Sequence, residues 1–79
     1  MSDEEVLLQS PLLYRVLREK GGALSIEVVV GGIVQFEVRV RLNAEETGSF
    51  HREGRAFADR LAQAILADPP FGGRSVRPS

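Results

Sequence analysis

The stretch IEVVVGGIVQFEVRV, Ile26 to Val40, decides how this chain folds. It reads as two strands joined by a glycine pair. Ala23 to Val30 and Val34 to Leu42 are rich in β-branched residues. In the second run Val34, Phe36, Val38, Val40 and Leu42 fall on one face, and Gln35, Glu37, Arg39 and Arg41 on the other. That alternation is the mark of a half-buried strand. In the first run Leu24, Ile26, Val28 and Val30 share a face.

The length of the turn follows from parity. Residues directly opposite in an antiparallel pair share a face. A two-residue Gly31-Gly32 loop sets Val28 against Gln35, a mismatch. A three-residue loop, Gly31-Gly32-Ile33, sets Val30 against Val34, Val28 against Phe36 and Ile26 against Val38. A slip of one residue turns every side chain to the other face, so the three-residue loop is expected. It also places Glu27 directly opposite Glu37, with Arg39 diagonal to Glu27. Like charges in that position are mildly destabilising. The pair reads as part of a surface salt-bridge cluster rather than as an acid/base pair.

Outward from the hairpin, the expected elements are helical. SDEE, Ser2 to Glu5, has the form of a capping box. In QSPLLYRVLREKGG, Ser10 suits an N-cap, Pro11 the first helical position and Gly21 a C-cap. Leu12, Leu13, Val16 and Leu17 form an apolar stripe. Two short helices meeting at Ser10 are preferred to one kinked helix, since an interior proline costs about 3 kcal/mol. After the hairpin, Asn43 with Glu46 caps a single turn that Gly48 ends. Ser49 then caps a long helix from about 50 to 67. Gly54 lies on its apolar stripe with Phe57, Ala58, Leu61 and Ile65, which predicts close approach to the sheet. DPP stops the helix, and 71–79 reads as a mostly disordered tail. The expectation is a single α+β domain over 1–70, a two-layer α-β-β-α arrangement with both helices over the apolar face of the hairpin.

Composition narrows the function. The 79 residues hold no cysteine and one histidine, with ten basic and eleven acidic side chains. Disulfides, thiolate metal sites and thiol redox chemistry are excluded. A net charge of −1 is not the usual basic footprint of a nucleic-acid binder. The acidic N-terminus lacks the apolar run of a signal peptide or membrane span, so a cytoplasmic protein that engages no membrane is expected.

Catalysis needs converging groups. His51 stands alone on a helix surface, and no HExxH, GxSxG or phosphate-loop pattern occurs. Glu45, Glu46 and Asp59 match no cation-loop spacing. No enzyme activity, cofactor or metal is expected. What remains is binding. Gln35, Glu37, Arg39 and Arg41 on the outer strand face, with Arg52 and Arg55 on the last helix, are the candidate binding residues. Their interleaved acids, Glu27, Glu37, Glu53 and Asp59, suit a mixed-charge protein surface better than phosphates. The expected function is a small protein-interaction module, a regulator or inhibitor acting by binding another macromolecule. The alternative is a nucleic-acid-binding regulator using the arginines of the second strand and last helix. A two-stranded sheet leaves both edges open, which predicts a homodimer. No motif in the chain points to a known family.

Overall fold

The structure is a computed structural model that describes residues 4–11, 13–31 and 35–77. It is α+β, with a four-stranded antiparallel sheet followed by two helices. The strands are β1 (Glu5–Ser10), β2 (Tyr14–Arg18), β3 (Leu24–Val30) and β4 (Phe36–Arg41), and their order in the sheet is their order in the chain. The helices are α1 (Ala44–Glu53) and α2 (Arg55–Ala67).

The expected N-terminal helices are strands. The chain turns after Ser10 rather than starting a helix there, with Leu13 N donating to the Ser10 carbonyl (3.2 Å). Proline fits the second position of either motif, which is why the local signal misleads. The stripe Leu13, Val16, Leu17 is also double-edged. Val16 and Leu17 are both buried, on opposite faces of the sheet, because β2 is an interior strand with apolar neighbours on each side. Ser2, the expected cap of the first helix, lies outside the described residues.

The hairpin at the centre keeps the expected faces but shifts register by two residues. Val30 faces Phe36, Val28 faces Val38 and Ile26 faces Val40. An even slip preserves parity. It also replaces the Glu27–Glu37 clash with Glu27 opposite Arg39, and sets Val29 opposite Glu37. The like-charge penalty therefore selects between registers that the hydrophobic pattern leaves equal. The connection is longer than three residues, and its 32–34 segment lies outside the described residues.

Asn43 and Glu46 form the expected capping box, each side chain accepting from the other's backbone N–H (2.8 and 2.9 Å). The helix does not stop at Gly48; it runs to Glu53 and breaks at Gly54. The sequence pattern puts Gly54 inside one long helix and tight against the sheet. Instead it has φ 60° and ψ −127°, and a Cβ there would meet nothing within 4 Å. Its role is conformational: it supplies a backbone geometry closed to other residues and redirects the chain from α1 to α2.

The core lies between the sheet and α2. Val16, Ile26, Val28 and Val40 meet Ala58, Leu61, Ala62 and Ile65. α1 packs on α2 and has no fully buried residue. The expected α-β-β-α arrangement, with an N-terminal and a C-terminal helix over the hairpin, is therefore not formed: β1 and β2 stand in place of the N-terminal helix and extend the sheet, and α2 packs on β3. Past α2, Phe71–Gly73 form a 3-10 turn, Phe71 packs against the core, and Val76 bridges to Arg39 at the β4 edge. Among the described residues no helix is long and apolar enough to cross a membrane.

Candidate functional site

The face of the sheet away from α2 carries polar and charged side chains in rows across the strands. One row is Arg15–Glu27–Arg39 and the next is Leu17–Ser25–Arg41. Glu27 is only 3% exposed, although among the described residues no helix covers it. Its cover is made of arginines. Arg15 Nε donates to one carboxylate oxygen (2.6 Å), and Arg39 Nη2 donates to the other (2.6 Å). Arg39 also grips Glu4 with both terminal nitrogens (2.7 and 3.0 Å). The result is a chain of alternating charge, Arg15–Glu27–Arg39–Glu4, with every oxygen of Glu27 engaged. Burying a carboxylate is tolerable only with such pairing.

Electrostatics follow from these contacts. The Arg39 hydrogen bonds hold the Glu4 carboxyl below the usual glutamate range, and Glu4, then Glu27, hold Arg39 above the usual arginine range. Below this row, Ser25 Oγ and Arg41 Nη2 both donate to Glu19, the latter at 2.8 Å. The serine, then the arginine, lower the Glu19 pKa. At the margin, Arg74 donates to the Arg41 carbonyl (2.9 Å) and to Glu46 (2.6 Å), and the bond to Glu46 lowers that carboxyl's pKa. Two shallow hollows open on this face. One is walled by Gln9, Arg15, Glu27, Val29 and Glu37, the other by Glu19, Ser25, Arg39, Arg41, Arg74 and Arg77.

The structure divides the candidate residues. Glu37, Arg39 and Arg41 stand together on the outer face, with Gln35 exposed just before β4. Arg52, which donates to Ser49 Oγ (3.1 Å), and Arg55 are exposed on the helical layer. The six therefore do not form one patch. Sequence reasoning placed Arg15 on a helix and so missed it, and missed Glu4 and Glu19 as partners. The available signal was Glu27 itself, a lone charge inside an apolar strand, which demands cations from both flanking strands.

Other polar groups hold elements together. Asp59 accepts the Tyr14 hydroxyl, tying α2 to β2. Burial, then the Asp59 bond, pushes that hydroxyl up to about 12. Arg60 pairs with Glu53 across the helix break (2.5 Å), and His51 is exposed on α1. Among the described residues no group of three histidine, aspartate or glutamate side chains is placed to hold a metal ion. Comparison with protein-family models, curated proteins and solved structures gives no match.

Proposed function

We propose that this chain is a non-catalytic protein-interaction module, a regulator or inhibitor that binds another protein through the outer face of its sheet. The observation that carries this reading is the Arg15–Glu27–Arg39–Glu4 chain of ion pairs on a face that, among the described residues, no helix covers. Pinned side chains lose little freedom on binding, so a preorganised charged face favours recognition. Charges of both signs alternate there, which suits a partner surface of mixed charge and gives specificity. Glu37 and Arg41 are exposed at its rim.

Nucleic-acid binding is supported less. Arg39, Arg41 and Arg74 line one hollow, but each already pairs with a carboxylate. The arginines of α1 and α2 lie on the other side of the sheet from those of β4. The test is capture from host lysate, read by mass spectrometry, with the wild type beside two double variants. The reading expects Glu37→Arg with Arg41→Glu to abolish capture, and Arg52→Glu with Arg55→Glu to retain it. The reverse pattern overturns it. Binding to random DNA or RNA that weakens steeply with salt establishes the nucleic-acid reading instead.

A further inference from the structure

The two edges of the sheet end differently. At β4, Arg39 and Val76 exchange two backbone hydrogen bonds (2.7 and 2.9 Å), and Arg74 caps the Arg41 carbonyl. Among the described residues, β1 has a neighbouring strand only on the β2 side. Val6, on this open edge, is 48% exposed. We infer that β1 is a homodimer interface, pairing antiparallel with β1 of a second copy in one register, Val6 opposite Gln9 and Leu7 opposite Leu8.

The register follows from a bulge. β1 faces β2 with Glu5 against Arg18 and Val6 against Leu17, then skips Leu7 and resumes with Leu8 against Val16, Gln9 against Arg15 and Ser10 against Tyr14. Opposite residues share a face. Glu5, Leu8 and Ser10 are therefore on the core face, and Val6 and Gln9 on the outer face. Leu7, the extra residue, packs with Leu8 against the core cluster. Read from 5 to 10, the faces run core, outer, core, core, outer, core. That pattern is the same in both directions. Pairing two copies about an axis between Leu7 and Leu8 matches faces at every position, and a slip of one residue either way mismatches Val6. A bulge that disorders pairing with an unrelated strand is repaired by its own copy.

The backbone agrees. Val29 N donates to the Leu13 carbonyl (2.9 Å), so the odd residues of β3 and β2 bond each other. Alternation then directs Tyr14 and Val16 toward β1, where they face Ser10 and Leu8. Gln9 points its N–H and C=O outward. So does Val6, whose opposite residue, Leu17, bonds β3. In the proposed register Val6 and Gln9 are opposite, so the free groups of one copy meet those of the other, twice by symmetry. The one acidic side chain of β1, Glu5, faces Ser10 of the second copy and not another Glu5. β1 has none of the lysines or internal prolines that usually guard an edge. The contact is isologous and joins two four-stranded sheets into one of eight strands. It is independent of what the outer face recognises.

Sedimentation equilibrium at micromolar concentration is expected to give twice the 8.7 kDa chain mass. Gln9→Pro removes only an outward N–H, a position where an edge strand tolerates proline. It should give the monomer mass with an unchanged circular dichroism spectrum. Val6→Lys, which keeps the backbone intact, should do the same, and Val76→Pro at the other edge should leave the dimer. A monomeric wild type overturns the proposal. So does a dimer that survives both β1 substitutions, or one that Val76→Pro alone dissolves.

Discussion

Ile26 and Glu27 are neighbours on β3, both almost completely buried, and they point to opposite sides of one sheet. Ile26 is covered by apolar side chains, those of α2 among them. Glu27 is covered by two guanidinium groups that belong to the flanking strands. The first kind of burial is non-directional and follows the area removed from water. The second costs desolvation and returns it only through complete pairing. One face is therefore sensitive to volume and the other to charge.

That contrast is open to direct attack. The largest effect belongs to the covered face: Ile26→Ala should lose about 2–5 kcal/mol in urea unfolding, as cavity-forming substitutions do. Next comes Glu27→Gln. Breaking a fully buried ion pair costs about 3–5 kcal/mol, but Arg15 and Arg39 keep 44% and 20% of their side-chain surface. Screening by solvent reduces the expected loss to about 1–3 kcal/mol, and it should shrink further in high salt. If Ile26→Ala shows the same salt dependence, the two faces do not differ as described. Gly54→Ala should cost about 1–2 kcal/mol through its backbone alone, since the space beside it is open. D-alanine at that position should cost much less, and an L-alanine variant as stable as wild type refutes the conformational role.

Titration separates the faces at opposite ends of the pH scale. Tyr14, on the covered face, titrates near 10.0 when unfolded and about 12 when folded. Its raised pKa contributes stability below pH 10 that is lost as pH climbs through 12, and Tyr14→Phe should flatten that limb of a thermal-melt series. The smallest effects lie at the acid end. Glu4 and Glu19 on the outer face are held below the ordinary value of 4.5. Their contribution is present above that value and lost as pH falls through the lowered ones, and Glu19→Gln should weaken the acid limb. An acid limb unchanged by Glu19→Gln removes this residue from the account.

Much of this was legible in the residues. The alternation from Phe36 to Arg41, the apolar face of β3, the Asn43–Glu46 box and the α+β class all follow from pattern. The N-terminal third did not. Ser10-Pro11 serves a helix start and a hairpin turn alike, and an interior strand with apolar residues on both faces imitates a helical stripe. Only the need to cover the bare edge of β3 decides between them, and that is a tertiary demand. The register was decidable: Glu27 opposite Glu37 already argued against the shorter loop. For the outer face, Glu37, Arg39 and Arg41 were singled out, while their partners Glu4, Glu19 and Arg15 depended on strands that local propensity did not reveal.

The order of strands in the sheet, each beside the one before it in the chain, has a kinetic consequence. Every ladder is closed by a local hairpin, so the sheet assembles without searching for distant partners. Low contact order of this kind is associated with fast folding. The contacts that span the chain come afterward: α2 over β3, Tyr14 with Asp59 forty-five residues away, and Val76 at the β4 edge. A nascent chain therefore has its sheet available before the helix that covers it has been made, and the paired charges of the outer face keep half of that early sheet from being a sticky one.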